Sequence, residues 1–222
     1  PSVTLTYAQS LDGKIAGPRG QQLILSGPQS MAMTHQLRTT HDAILVGVQT
    51  VLNDNPRLTA RMCAPNTPLE NPQPVILDST LKTPLSCALM TARFDNPAAK
   101  LPWILTTGQY NLDSKILLEG AGARIFIIDE LPAPTDHPDN NSHDHNNGHG
   151  NGNNSRIISV KSILQCLGTN GIRRVMVEGG ARVIDQFLTY AATTPIRKTQ
   201  QSNRPDVRCI ITVAPKWVGP EG

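Results

Sequence analysis

The sequence of 222 residues lacks the short motifs that mark the commonest nucleotide-binding and hydrolytic enzymes. No G-x-G-x-x-G follows a predicted strand and no G-x-x-x-x-G-K-[S/T] occurs, so neither common nucleotide fingerprint is present. A G-x-S-x-G elbow is also absent, which disfavours an α/β-hydrolase. The zinc deaminase pattern, His-x-Glu with Pro-Cys-x-x-Cys, is missing as well.

Charge and long apolar segments are also scarce. Charged residues make up 17% of the chain and aromatic residues 4%. The net charge is only +3, and the sequence contains no run rich in lysine and arginine. The electrostatic footprint of a nucleic-acid-binding protein is therefore absent. The apolar runs, such as 43–48, are too short to span a membrane. We expect neither a nucleic acid nor a membrane as partner.

The cysteine pattern points to a reducing compartment. The four cysteines, at positions 63, 87, 166 and 209, are scattered and show no paired spacing. Buried free thiols are the simplest interpretation, because intracellular thiols are kept reduced. No signal peptide is recognisable at the start of the sequence. A cytoplasmic location is predicted.

Predicted strands alternate with predicted helices along the chain. Apolar runs predict strands at 2–9, 43–47, 74–78, 103–107, 123–128, 175–178 and 207–213. Helical patterns occur at 29–39, 48–56 (a short turn stopped by its final Asn-Pro), 113–119, 161–167 and 181–188. Ser26 is the predicted N-cap of the first helix, with Pro28 in its first turn. The alternation predicts one α/β domain over residues 1–222, with a mostly parallel central sheet flanked by helices.

Two segments do not fit a compact domain. Residues 135–155 consist mainly of Asn, His, Asp, Gly and Pro, and they are predicted to be a disordered insertion because they have little apolar surface to bury. Their four histidines, at positions 137, 143, 145 and 149, lack the rigid spacing of a metal site, so no metal is predicted. The polar and basic residues 193–205 are predicted to be a second insertion on the surface.

Residues 175–188 are the stretch around which the sequence is organised. An apolar strand ends at Glu178, turns through Gly179 and Gly180, and continues with helically spaced apolar residues. Glycines between a strand and a helix let backbone N–H groups approach an anion. An ordinary strand-to-helix turn, with glycines used only for geometry, is the alternative.

Further polar residues follow the other predicted strands. They are Asp12, Lys14, Thr50, Asp54, Asp78, Ser79, Thr106 and Thr107. Because parallel strands end at one edge of the sheet, these side chains could line one cleft with Glu178. Each one taken alone could instead form a turn or end a helix.

Several segments taken together resemble a known family. In order they are Ser10-Leu11-Asp12-Gly13-Lys14-Ile15-Ala16, Leu37-Arg38, 42–47, 50–59, 74–78 and Val177-Glu178-Gly179-Gly180-Ala181. The combination is similar to the riboflavin-biosynthesis reductase family, in its stand-alone fungal or archaeal type without a deaminase. The resemblance implies a dihydrofolate-reductase-like fold and a homodimer. It also implies reduction of the ribosyl side chain of 2,5-diamino-6-ribosylamino-4(3H)-pyrimidinone 5′-phosphate by NADPH, with NADH left open.

The resemblance also implies roles for individual residues. The implied cofactor contacts are Thr50, Asp54, Ser79, Gly179, Gly180, Ala181, Arg182 and Val183. The implied substrate contacts are Arg38, Leu58, Arg61 and Glu178, with the arginines near the 5′-phosphate and Glu178 near the amino groups of the pyrimidine. Glu178 and Asp54 are the candidate catalytic proton donors, with water or the substrate itself as the alternative. Asp12 and Lys14 match the first turn of the family, where they could bind a ligand or hold the loop.

Further expectations concern the glycine pair, the C-terminus and the alternative functions. A cis peptide is expected between Gly179 and Gly180. The C-terminus is expected to be shorter than that of the family, which continues beyond the last predicted strand. The alternative functions are a related reductase of another pterin or pyrimidine and a nucleotide-binding protein without turnover.

Overall fold

The computed structural model describes residues 1–18, 21, 23–61, 70–97, 99–128, 158–193 and 206–220. Its strands are β1 (Ser2–Gln9), β2 (Ala43–Gly47), β3 (Gln73–Leu77), β4 (Trp103–Thr106), β5 (Arg124–Ile127), β6 (Arg174–Gly179) and β7 (Val207–Val213). Its helices are α1 (Pro28–Thr39), α2 (Val48–Asp54), α3 (Ala92–Asp95), α4 (Leu112–Gly120), α5 (Val160–Thr169) and α6 (Ala181–Thr193).

The seven strands form one sheet in the order β5-β4-β3-β2-β6-β1-β7. Every pair of neighbouring strands in this sheet is parallel. Parallel sheets require both faces to be covered, and their strands accordingly carry near-continuous apolar runs. The predicted α/β class with a mostly parallel central sheet is therefore confirmed.

The core has two layers, one on each face of the sheet. In β2, Leu45 packs with the apolar faces of α5 and α6, whereas Ile44 packs on the other face with Val51 of α2 and Leu118 of α4. This opposite orientation follows from the alternation of side chains along a strand. Burying an aliphatic side chain of this size contributes about 1.5–3 kcal/mol. The two layers hold the strands in a fixed frame, with their carboxyl ends on one edge.

Two local details differ from the sequence-based expectation. The N-cap of α1 is Gly27 and not Ser26, and no side chain caps this helix; Pro28 occupies its first turn as expected. The short helix α3 was not predicted, because four residues carry too little periodicity to be recognised. The predicted insertions at 135–155 and 193–205 lie outside the described residues, except for Thr193, which ends α6.

The strand order places a crevice between β2 and β6. From β2 the chain proceeds through α2 to β3, which lies towards the β5 end of the strand order. From β6 it proceeds through α6 to β7, which lies at the opposite end. In an open parallel sheet, ligands bind at the carboxyl ends of the strands where the connections diverge in this way. The crevice above Gly47 and Gly179 is therefore the expected position of a ligand.

Candidate active site

Three glycines line the crevice between the ends of β2 and β6. A methyl group built at Gly47 would lie 3.0 Å from Cγ2 of Val183, and one built at Gly179 would lie 3.2 Å from Oγ1 of Thr50. Gly180 is also in contact range of Thr50 and Val183. The side chains of Val183 and Thr50 therefore occupy the space that a larger residue at Gly47 or Gly179 would need. Four predicted cofactor-binding residues, Thr50, Gly179, Gly180 and Val183, are thus brought together by the fold.

The expected cis peptide between Gly179 and Gly180 is wrong, because the peptide bond is trans. The chain turns instead through Gly180, whose φ of +83° lies in the left-handed region. Glycine adopts this conformation at no steric cost, whereas other residues are strained there. The second glycine of the pair thus serves the turn, and the first serves the close approach to Thr50.

The first turn of α6 directly follows the glycines. Ala181 and Arg182 are exposed there, whereas the Val183 side chain is buried against Gly47 and Gly180. The backbone N–H groups of a first helical turn have no partner within the helix, and the helix dipole gives them partial positive charge. Val183 can therefore serve a ligand only through its backbone, while Arg182 can also offer its guanidinium group.

A β-bulge sets the position of Glu178. Leu45 pairs with Val177 and the next residue, Val46, pairs with Gly179, so Glu178 is the extra residue on β6. Bulges redirect side chains and occur next to active sites more often than elsewhere. The motif of a carboxylate followed by two glycines is thus a bulge followed by a left-handed turn.

Glu178 forms a bidentate ion pair with Arg38 of α1. The Arg38 Nε donates to Oε1 at 2.7 Å and a terminal nitrogen donates to Oε2 at 2.6 Å. The other terminal nitrogen donates to the carbonyl oxygen of Thr59 at 2.8 Å. The two charged side chains are 12% and 10% exposed. Two predicted substrate residues are therefore in direct contact with each other, in a partly dehydrated place where charge-assisted hydrogen bonds are strong.

The segment after α2 contributes the other two predicted substrate residues. Leu58 is buried in the core layer that contains Ile44, and its φ of +49° is left-handed. Arg61 is exposed, and its backbone N–H donates to Nδ1 of His35 at 3.2 Å. The guanidinium group of Arg61 is thus available to solvent, whereas most of Arg38 is committed to Glu178 and Thr59.

The remaining predicted cofactor residues lie on the same edge of the sheet. Asp54 is one helical turn after Thr50 on α2, and its side chain is exposed at the end of that helix. Partial burial of its carboxyl group nevertheless raises the pKa of Asp54. Ser79 follows β3, and its carbonyl oxygen accepts a hydrogen bond from the Thr107 hydroxyl at 3.0 Å.

The first turn is held by hydrogen bonds of Asp12. Its carboxylate accepts from the Ser10 hydroxyl at 2.6 Å and from the backbone N–H groups of Val218 and Gly219 at 3.1 and 2.8 Å. These hydrogen bonds lower the pKa of Asp12 to about 2, with the Ser10 hydroxyl contributing most. Of the two roles left open for Asp12, the structure supports the one that holds the loop.

Asp78 also has a structural role. Its buried carboxylate accepts from the backbone N–H of Thr83 at 2.7 Å and from the Thr83 hydroxyl at 2.8 Å.

The hydroxyl of Thr106, fully buried at the end of β4, has no hydrogen-bond partner within the described part of the chain.

Sequence reasoning missed three components of this site. Gly47 stands at the end of an apolar strand and could have been recognised as a close-approach glycine. Thr59 contributes only its carbonyl oxygen, which no sequence pattern reveals. His35 is buried beside Arg38, and the only signal in the sequence is its spacing of three residues from that arginine, which places both on one helix face.

The described ranges contain no cluster of three or more potential metal ligands, and no helix among them is long and apolar enough to cross a membrane. A cavity of about 290 Å³ lies at the opposite edge of the sheet, beside the starts of β4 and β5 and lined in part by Met90, Phe94 and Leu101. It is separate from the candidate site.

Comparison with known proteins decides the family. The family model described as the RibD C-terminal domain matches residues 1–192. The chain belongs to this family. A relative from Debaryomyces hansenii, named 2,5-diamino-6-ribosylamino-4(3H)-pyrimidinone 5′-phosphate reductase, is 34% identical over all of the chain and 78% of its own length. A relative of the same name from Saccharomyces cerevisiae is 34% identical over 85% of the chain and 66% of its own length.

Solved structures agree with this assignment. The riboflavin biosynthesis reductase Rib7 of Saccharomyces cerevisiae matches the whole chain and 76% of its own length, with a TM-score of 0.66 and 28% identity. RibD of Acinetobacter baumannii matches with a TM-score of 0.67 at 22% identity, over 48% of its own length, which supports the fold. The resemblance, the dihydrofolate-reductase-like fold and the assignment as an oxidoreductase are therefore confirmed.

Proposed function

We propose that this member of the RibD C-terminal domain family reduces the ribosyl side chain of 2,5-diamino-6-ribosylamino-4(3H)-pyrimidinone 5′-phosphate to the ribityl form with NADPH. The observation that carries the proposal is the Arg38–Glu178 pair, placed by a bulge immediately before the glycine crevice. It supplies a fixed polar contact for a heterocycle directly beside a place suited to a dinucleotide. The names of the two fungal relatives provide the substrate.

The crevice is proposed to hold the dinucleotide. Thr50 lies against Gly179 and Gly180, where an added methyl group would come within 3.2 and 3.4 Å of its hydroxyl oxygen, and the first turn of α6 follows directly with its free N–H groups. Close backbone approach together with a helix N-terminus is the usual means of holding a pyrophosphate. Arg182 and Ser79 are proposed to contact the phosphates or ribose, and Asp54 to contact the cofactor from α2. Bound NADPH would supply the hydride for C1′ of the ring-opened substrate.

The protein residues have the remaining tasks. Glu178 is proposed to accept hydrogen bonds from the amino groups of the pyrimidine through lone pairs that Arg38 leaves available. Arg61, whose guanidinium group is exposed, is proposed to bind the 5′-phosphate, and Leu58 to pack beside the ligand. A proton must reach the nitrogen attached to C1′, and Asp54 is the better candidate donor, because its pKa is raised and both oxygens of Glu178 already act as acceptors.

The decisive experiment follows NADPH oxidation at 340 nm in the presence of the ribosylamino substrate, with the ribityl product identified by mass spectrometry. Oxidation that depends on this substrate and yields the ribityl product is expected. Cofactor binding without turnover of this substrate would contradict the proposal, and turnover of a different pterin or pyrimidine alone would favour the related reductase. Parallel assays with NADH measure the cofactor preference.

We further propose that the chain acts in the cytoplasm as a homodimer. Cys87, Cys166 and Cys209 are all free thiols, in agreement with a reducing compartment. Ile211 and Val213 of the edge strand β7 are about half exposed, and apolar side chains exposed side by side favour an interface. Light scattering during gel filtration would report the mass, and a monomer at micromolar concentration would contradict the dimer.

A further inference from the structure

His35 lies behind the proposed substrate site. It is on α1, three residues before Arg38, and only 5% of it is exposed. Its Nδ1 accepts a hydrogen bond from the backbone N–H of Arg61 at 3.2 Å. The accepting nitrogen carries no proton, so a neutral His35 carries its proton on Nε2.

Helix α1 holds the segment 59–61 by hydrogen bonds to the backbone of two residues, Thr59 and Arg61. His35 binds the backbone N–H of Arg61 and also forms a hydrogen bond with the Thr59 backbone, while Arg38 donates to the Thr59 carbonyl oxygen. The segment needs this support because it follows Leu58, whose left-handed φ of +49° is unfavourable for a leucine. The backbone that carries Arg61 is therefore fixed from the helix.

The charges around His35 favour its neutral form. Burial, and then the positive charges of Arg38 and Arg61, lower the pKa of His35, against the opposing effects of the Thr59 backbone and Glu178. A neutral imidazole can accept the Arg61 N–H, whereas an imidazolium could not and would add a third positive charge.

We propose that His35 is a positioning residue, which holds residues 59–61 against α1 and thereby sets where Arg61 presents its guanidinium group to the 5′-phosphate of the substrate. This inference rests on the proposed function for the identity of the substrate. His35 acts through Arg61 and Thr59 and needs no contact with the substrate itself.

The test compares His35→Leu, which removes both hydrogen bonds, with His35→Asn, whose side-chain oxygen can replace Nδ1 as the acceptor. His35→Leu should raise KM for the phosphorylated substrate by roughly tenfold, leave the Kd for NADPH within about twofold, and change KM for the dephosphorylated substrate little. His35→Asn should recover most of the loss. In an Arg61→Ala background, His35→Leu should have no further effect on KM.

His41→Leu is the matched control. His41 also forms hydrogen bonds through both ring nitrogens, to the Leu37 carbonyl, the Thr4 hydroxyl and the Thr40 hydroxyl at 2.7, 2.8 and 3.2 Å, but none of them involves Thr59 or Arg61. A similar loss of thermal stability in both Leu variants, with a raised KM only in His35→Leu, supports positioning. An equal rise of KM for the phosphorylated and dephosphorylated substrates would overturn it.

A crystal structure of unliganded His35→Leu separates this inference from the proposed function. Residues 59–61 should shift by about 1 Å or more relative to α1, a displacement large enough to disturb binding. An unchanged segment would overturn the inference even if the wild-type enzyme reduces the substrate. A shifted segment in a protein without turnover would overturn the proposed function and leave the support of this segment by His35 intact.

Discussion

The Arg38–Glu178 pair gives the sharpest prediction for stability and activity. Glu178→Gln keeps the shape of the side chain but leaves an amide N–H₂ group facing the guanidinium N–H groups. One of the two hydrogen bonds, at 2.7 and 2.6 Å, is lost, and the Arg38 charge remains without a counter-ion at 12% exposure. Leaving a buried charge unpaired costs about 2–4 kcal/mol of unfolding free energy.

The measurement is a double-mutant cycle with Arg38→Met, which keeps the apolar part of the side chain. Each single variant should unfold roughly 5–15 °C below the wild type, since about 1 kcal/mol corresponds to about 2–4 °C in a domain of this size. The double variant has neither charge. Its loss of unfolding free energy should be smaller than the sum of the two single losses by about 1–3 kcal/mol. Losses that add within about 0.5 kcal/mol would refute a direct pair.

The exposed pair Lys115–Glu119 on α4 is the matched control. Its nitrogen and oxygen are 2.8 Å apart, a distance similar to those of the Arg38–Glu178 pair, but the side chains are 25% and 41% exposed. Glu119→Gln should therefore cost only about 0.3–0.5 kcal/mol.

In the activity assay, Glu178→Gln should lower kcat by roughly 10²-fold and leave the Kd for NADPH within about twofold. Equal losses in turnover and cofactor binding would contradict a substrate role for Glu178.

Three further predictions concern the rest of the edge. Asp54→Ala should weaken NADPH binding measured by fluorescence titration, and an unchanged Kd would remove Asp54 from the cofactor site. Gly179→Ala should lower the free energy of unfolding by about 1–2 kcal/mol, because the new methyl group would lie 3.2 Å from Thr50 Oγ1. Adding Thr50→Ala should restore the thermal stability, and a double variant no more stable than Gly179→Ala would refute this contact. Because the folded pKa of Asp12, about 2, is below its unfolded value, its contribution to stability is present above about pH 4 and disappears as the pH falls towards 2. Asp12→Asn should accordingly lower the thermal midpoint at about pH 5 but not near pH 2, and a difference that persists at pH 2 would argue against this linkage.

The elements of the fold were accessible from the sequence because their signals are local. The apolar run of β2 and the glycines after β6 identify buried strands and a turn without knowledge of the partner strands. The Arg38–Glu178 contact was not accessible in this way. Its two residues are far apart in the chain, and their meeting depends on how the end of α1 packs against the end of β6. The resemblance marked both as substrate residues but could not indicate that they bind each other.

The partner of Glu178 shows why the periodicity of a strand is not enough to explain a charged residue within it. Strict alternation predicts that Glu178 and Met176 lie on the same face, and Met176 is fully buried in a core layer. Leu37 of α1 packs against that layer, and the next residue of the helix, Arg38, forms the ion pair with Glu178. A charged residue near the end of an otherwise apolar central strand thus indicates a charged partner on the helix that covers it, because burying a charge without compensation is costly.

The glycine crevice explains why no common nucleotide fingerprint occurs in the sequence. Those fingerprints place all their glycines in one continuous loop between a strand and its helix. Here Gly47 comes from the end of β2, whereas Gly179 and Gly180 come from the end of β6, and the two meet only because these strands are neighbours in the sheet. Each glycine still meets a definite physical need, either the close approach of a neighbouring side chain or a left-handed φ. Because the requirement is spatial, the same crevice can be built from separate strands, and the glycines that line it need not form a recognisable motif.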